Sequence, residues 1–198
     1  MLSTESASYT KTAKVLHWLI ALAIIFMLAL GWCLDFFAGE TKFAAIQLHK
    51  SIGITILLLS VVRLGWRLMH KAPPLPATMP LWEQRAAHAG HVLLYIAMIG
   101  MPLSGWAMVS TSPHNIPTIL YGLVRWPGMP YFSTLPDKKA MHEVMDNVHS
   151  ISAYLLAALI VGHAAAAMKH HFIAKDDILL RMMPRGAAGF LNRIRGRA

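Results

Sequence analysis

The chain alternates long apolar blocks with short polar ones. Residues 15–34, VLHWLIALAIIFMLALGWCL, contain no Asp, Glu, Lys or Arg, and neither do residues 86–124 or 147–168. Residues 43–62 contain only Lys50. About 20 apolar residues suffice for a helix to cross a bilayer, and a helix satisfies its own backbone polar groups in lipid. The pattern predicts transmembrane helices near 15–35, 44–69, 86–110 and 144–170. Pro102 falls inside the third and predicts a kink there. The first block is longer than the apolar run of a cleaved signal peptide, about 7–15 residues, and no A-x-A site follows it. It is expected to be retained. The expected fold is a single-domain, all-α membrane protein, a bundle of four transmembrane helices.

Composition agrees. Of 198 residues, 56% are hydrophobic and 14% charged, against about 25% charged in ordinary soluble domains. The single cysteine, Cys33, excludes an internal disulfide framework, a Cys-rich zinc site, a cluster of iron and sulfur held by this chain alone and covalent c-type haem.

Charge sets the expected orientation. One side of the bundle collects the N-terminus, residues 63–85 and the C-terminal tail, with 13 basic and four acidic residues. The other side has five of each. The positive side is expected to be cytoplasmic, with both termini inside a bacterial inner membrane. Anionic lipid head groups account for the basic excess without nucleic acid. The loop 111–142 carries five prolines together with Tyr121, Trp126, Tyr131 and Phe132. It reads as an interfacial connector or as a lid over a site on the outer face. The tail 176–198 mixes apolar side chains with arginines and reads as an amphipathic segment lying on the surface.

Eleven histidines are present. His70, His88, His91, His114, His142, His170 and His171 lie in or near loops and helix ends. His17, His49, His149 and His163 sit in apolar surroundings one or two turns inside a helix end, where an unpaired polar ring is costly. Following the chain back and forth puts His17 and His163 near the inner face, and His49 and His149 near the outer face. Fourteen residues separate His149 from His163. That is some 40° short of four full turns, so the two share a helix face roughly 21 Å apart along the axis. Each depth thus receives two histidines from two helices. Zinc usually takes four protein ligands, or three and a water, and no carboxylate or thiolate lies at either depth. Haem b needs two axial ligands and fits an apolar slot between helices. Histidines that are merely polar are the alternative. Gly31 and Gly53 fall on the faces where a flat cofactor would approach, although close helix packing uses glycine equally well. Arg63, fourteen residues after His49, either pairs with a haem propionate or snorkels to the interface. Arg67 reads more simply as a snorkelling residue.

At these residues the chain resembles the prokaryotic cytochrome b561 family of small dihaem, quinone-linked membrane cytochromes. The resemblance is carried by VLHWLIA with His17, QLHKSIGI with His49, VVRLGWRL with Arg63, AHAGHVLLY with His88 and His91, and GHAAAAMKHHFIAKDDILLRMMP with His163. The segment DNVHSISAY around His149 departs from the family's Trp-His-Glu form and leaves His142, in KKAMHEV, as a competitor. The resemblance implies axial ligation at His17, His49, His149 and His163, paired His17 with His163 and His49 with His149. It also implies two b haems and electron transfer from an outer-face donor to membrane ubiquinone. One branch of the family oxidises superoxide. Lys50, Lys138 and Lys139 are the candidates on the donor side, where they would attract a small anion or simply anchor the chain at the membrane edge. A cytochrome b relay subunit serving a separate redox protein is the competing function.

Overall fold

The computed structural model describes residues 8–196. Four helices are long and apolar enough to cross a membrane: α1 (Lys11–Cys33), α2 (Gly39–Met69), α3 (Leu81–Ser110) and α5 (Lys138–Phe172). Between α3 and α5 lie strands β1 (Thr118–Leu120) and β2 (Val124–Trp126) and the single turn α4 (Pro130–Ser133). After α5 come α6 (Ile178–Met182) and α7 (Arg185–Arg195).

Each long helix starts before its charge-free run, and in α1 and α5 a capping side chain sets the start. Thr10 accepts a hydrogen bond from the Ala13 N–H, and Asp137 accepts one from the Ala140 N–H. Pro80 precedes α3 and cannot itself continue a helix upstream. The helix then runs unbroken through Pro102. Lys169, His170 and His171 fill the last turn of α5, where positive or donor groups suit the helix dipole.

α3 packs along α5, and α2 packs against both α1 and α3. The core joins Ile20, Ile24, Met27 and Leu28 of α1 to Ile56 of α2 and Leu156 of α5. Leu156 is 1% exposed and stands midway between His149 and His163. Away from this core the helices present large apolar side chains outward, such as Leu22, Val92, Leu155 and Val161, as a lipid-facing surface requires.

Two structures close the ends of the bundle. At the hairpin end, β1 and β2 pair antiparallel, with Thr118 opposite Trp126 and Leu120 opposite Val124. Tyr121 and Gly122 both take positive φ to turn the chain. Three α2 side chains hold this hairpin. Gln47 bonds the Pro117 carbonyl and the Ile119 N–H, Ser51 Oγ accepts from the Tyr121 N–H, and Thr55 Oγ1 lies 2.7 Å from the Tyr121 hydroxyl. From α3, Trp106 Nε1 donates to the Pro127 carbonyl. At the tail end, Lys14 and Trp18 of α1 donate to the Met183 and Met182 carbonyls, and Lys169 pairs with Glu83. The basic tail is therefore two short helices docked on the bundle, and its last two residues lie outside the described range.

Candidate functional site

At the hairpin end, α2 and α5 bring His49 and His149 together, with ring centroids 6.2 Å apart. At the tail end, α1 and α5 bring His17 and His163 to the same 6.2 Å. Two imidazoles bound to opposite sides of one iron, with bonds of about 2 Å and ring radii of about 1 Å, lie roughly 6 Å apart. Both pairs meet that spacing. Among the described residues, no group of three or more His, Cys, Asp and Glu side chains is disposed to hold a bare metal ion.

The surroundings of the two pairs differ. Around His49 and His149 lies a cavity of about 550 Å³. Its deep wall is apolar, with Ile24, Met27, Ile56, Met98, Met101 and Leu156, and its mouth is polar, with Asp35, Lys50, Thr118, Trp126 and Asp146. His149 Nδ1 lies 3.2 Å from the Met101 carbonyl and 3.1 Å from Ser104 Oγ. A carbonyl only accepts, so Nδ1 carries the proton and Nε2 keeps its lone pair. This is the arrangement that orients a metal-bound histidine. His49 Nδ1 is buried with no partner among the described residues. A bond from this ring to a metal would offset part of that desolvation.

Glycines make room for both rings. A Cβ on Gly105 would meet His149 Cε1 at 2.9 Å, and one on Gly31 would meet His49 Cε1 at 3.3 Å. Gly31 thus both gives the His49 ring room and lines the cavity. Gly53 also lines the cavity, facing Met27 at 3.8 Å. An apolar slot of this size, with one ring held in a ligating tautomer, fits a b haem.

The tail-end pair is crowded. His91 of α3 lies 5.7 Å from His163. Arg63 Nη2 lies 3.2 Å from His17 Nδ1, and Nη1 donates to the Ala13 carbonyl. A guanidinium only donates, so in this arrangement the proton of His17 sits on Nε2. Ligation through Nε2 requires Arg63 to release the ring, and a propionate would be an alternative partner for it. The adjoining cavity is about 90 Å³ and is lined by Tyr9, Arg63, Trp66, Arg67, His91 and Tyr95 among others. Arg67 Nη1 is buried there with no hydrogen-bond partner among the described residues, and its guanidinium lies 5.9 Å from the Tyr9 ring centroid, so this side chain turns inward.

Other sequence candidates separate clearly. His142 bonds the Met108 carbonyl and does not line the cavity, whereas His149 stands against His49. Lys50 lines the cavity mouth; Lys138 and Lys139, at the start of α5, do not. His88 bonds the Gln84 carbonyl at the helix surface. His91 was readable only from the correct helix start. Counted from Leu81 after Pro80, it lies three turns inside the helix. Gly105 carried no sequence signal of its own, and Trp126 was legible only as one of several aromatics in the loop 111–142.

Comparison with known proteins identifies the family. Residues 8–185 match the family described as prokaryotic cytochrome b561. The chain is 35% identical over 186 residues to cytochrome b561 homolog 2 of Escherichia coli K12, covering 92% of this chain and 94% of that protein. It is 30% identical over 182 residues to cytochrome b561 homolog 1 of the same organism, covering 89% and 97%. A protein of Yersinia pestis named probable superoxide oxidase CybB is 32% identical over 180 residues, covering 86% and 92%.

Proposed function

The chain belongs to the prokaryotic cytochrome b561 family, whose members are multi-pass membrane proteins that bind b-type haem, and on that premise we propose that it is a dihaem cytochrome carrying electrons from a periplasmic one-electron donor, superoxide, to membrane ubiquinone. It acts in the bacterial inner membrane with both termini cytoplasmic, so the hairpin end faces the periplasm. The observation that carries this reading is the pair of facing histidine pairs, each at 6.2 Å and each drawn from two helices. The similarity to a protein named probable superoxide oxidase and the lysine at the cavity mouth support the choice of donor.

When bound, b haem takes up and passes on single electrons. The residues supply the rest. His49 and His149 would hold one haem, and His17 and His163 the other. The Met101 carbonyl and Ser104 fix the His149 ring so that Nε2 faces the cavity. Ile24, Ile56 and Leu156 keep water out of the space between the two levels. Lys50, with Lys138 and Lys139 further out, attracts an anionic donor to the hairpin end. Gly31, Gly53 and Gly105 keep the slot open, and Arg63 would balance propionate charge at the tail end. Two superoxide ions oxidised to dioxygen release the two electrons that, with two protons, reduce one quinone to quinol.

Stopped-flow mixing of the purified, oxidised protein with superoxide tests the reading. The b-type absorbance should become that of the reduced form within the mixing experiment and return when a soluble ubiquinone analogue is added. A spectrum that stays oxidised excludes superoxide as donor. Reporter fusions at Ala198 and within residues 111–117 test the orientation independently, and a periplasmic C-terminus would overturn it.

A further inference from the structure

Trp126 ends β2, and its ring lines the mouth of the hairpin-end cavity. The side chain as a whole is half-buried, yet its Nε1 is fully buried and has no hydrogen-bond partner among the described residues. Its neighbour Trp106, whose ring is tilted by 60° at 5.7 Å, donates its own Nε1–H to the Pro127 carbonyl. Trp106 is thus satisfied by the protein and Trp126 is not. A buried donor left without an acceptor costs about 1–3 kcal/mol, so such groups ordinarily mark a missing partner.

The cavity indicates which partner. Its deep wall is hydrocarbon, and its polar lining is Asp35, Lys50, Thr118, Trp126 and Asp146, with Asp35 already paired to Lys42. Thr118 and Trp126 face each other across the hairpin register, so one pair of strand residues closes this end of the slot. A flat cofactor with an apolar ring and two carboxylates enters such a slot with the carboxylates at the polar end, because burying them against Ile24, Met27 and Leu156 would cost far more.

We propose that the hairpin is part of the cofactor site: the Trp126 indole N–H, with Lys50 of the same cavity lining, holds a carboxylate of the hairpin-end haem. This rests on the haem reading above and deepens it, giving the residues 118–126 a positioning role instead of a connecting one. The hydrogen bonds from Gln47, Ser51 and Thr55 then serve to hold the indole at the mouth.

An N–H on the carboxylate draws negative charge away from the iron, which favours the reduced state. Its removal therefore lowers the midpoint potential of that haem. In purified Trp126→Phe, haem content should stay at the unmodified protein's value. At a fixed ambient potential, the ferrous-to-ferric ratio of the hairpin-end haem, identified by its loss in His49→Ala, should fall about threefold or more. The tail-end haem should not move. Trp126→His, which keeps a ring N–H donor, should recover part of the shift. An unchanged potential in Trp126→Phe with haem retained overturns the proposal, including the case in which only the rate of reduction by superoxide changes. Should Trp126→Phe fail to retain the haem, recovery of haem by Trp126→His supports the donor role, and equal loss in both variants overturns it. Absence of haem from the unmodified protein would instead overturn the cofactor reading itself.

Discussion

The two ends of the bundle use the same motif in different states of readiness. Each pairs histidines from two helices at 6.2 Å. At the hairpin end the rings face a cavity of about 550 Å³, and glycines on α1 and α3 give them room. At the tail end Arg63 and His91 crowd the pair, and the nearby cavity of about 90 Å³ is lined by Arg63 and His91 but by neither His17 nor His163. Ligand spacing is thus set by helix geometry alone, while the volume for a cofactor depends on whether long polar side chains project into the slot. An arginine can swing out of a slot at little cost because its stem is flexible, whereas a Cβ in the wrong place cannot.

The sharpest way to break the comparison is to remove ligands. His49→Ala or His149→Ala should eliminate the hairpin-end haem, and His17→Ala or His163→Ala the tail-end haem. Each within-pair double variant should match its singles, and the crossed double His17→Ala with His149→Ala should lose both, as residues serving one site behave. Haem content per chain and the reduced spectrum read this out. His91→Ala is the control and should retain both; loss of the tail-end haem there would replace His17 by His91 as the partner of His163.

Gly105→Ala should come next in size. Its methyl would lie 2.9 Å from His149 Cε1, and overpacking of this kind costs about 1–3 kcal/mol. Haem retention at the hairpin end should fall about tenfold during dilution or competition with apomyoglobin, with the tail-end haem unaffected. Equal retention would show that the α3 backbone yields freely. Arg63→Gln should act only at the opposite end. Loss of the cation beside a propionate should lower the tail-end midpoint potential, so that the ferrous fraction at a fixed potential falls several-fold, roughly as one charge-assisted hydrogen bond allows. An unshifted potential would return Arg63 to a packing role. The smallest effect belongs to the outer lysines. Replacing Lys50, Lys138 and Lys139 with Gln should slow reduction by superoxide a few-fold at low ionic strength and flatten its salt dependence. An unchanged rate would remove steering from the account.

Much of this was readable from residue spacing. The fourteen-residue interval between His149 and His163 placed them on one face at two depths, and the back-and-forth course of the chain gave each a neighbour from another helix. Even the core residue between them, Leu156, sits at the midpoint of that interval. The observed α3 begins at Leu81, five residues before the charge-free run, because such a run marks the apolar span while Pro80 marks where the helix begins. Counting from residue 86 left His91 near an end, when ten residues separate it from Leu81. The hairpin was not legible at all. TILYGLVRW shows no clean alternation, and it is held by side chains about 70 residues earlier. Non-local hydrogen bonds leave no periodic trace. Arg63 was placed on the correct face, but its bond to His17 depends on a rotamer that spacing does not specify.

The grip of α2 on the hairpin also bears on how the protein is assembled. Gln47, Ser51 and Thr55 are spaced by four, so they form one polar stripe along an otherwise apolar helix. Thr55 lies six residues beyond His49, about 9 Å further along the axis, and Tyr121 reaches it. The hairpin tip therefore meets the helix at the level of Ser51, the Tyr121 side chain reaches one turn further, and a buried backbone group there needs a partner. Such a segment can settle only onto a partner already in place. The order of the chain supplies one: α1, α2 and α3 leave the ribosome before residue 118 does, so the stripe is inserted and waiting when the hairpin arrives. A circular permutant that begins at α3 and delivers α2 last would present the same residues in the opposite order. Its hairpin would have to wait at the membrane surface, exposed to proteases, until the helix that receives it had been made.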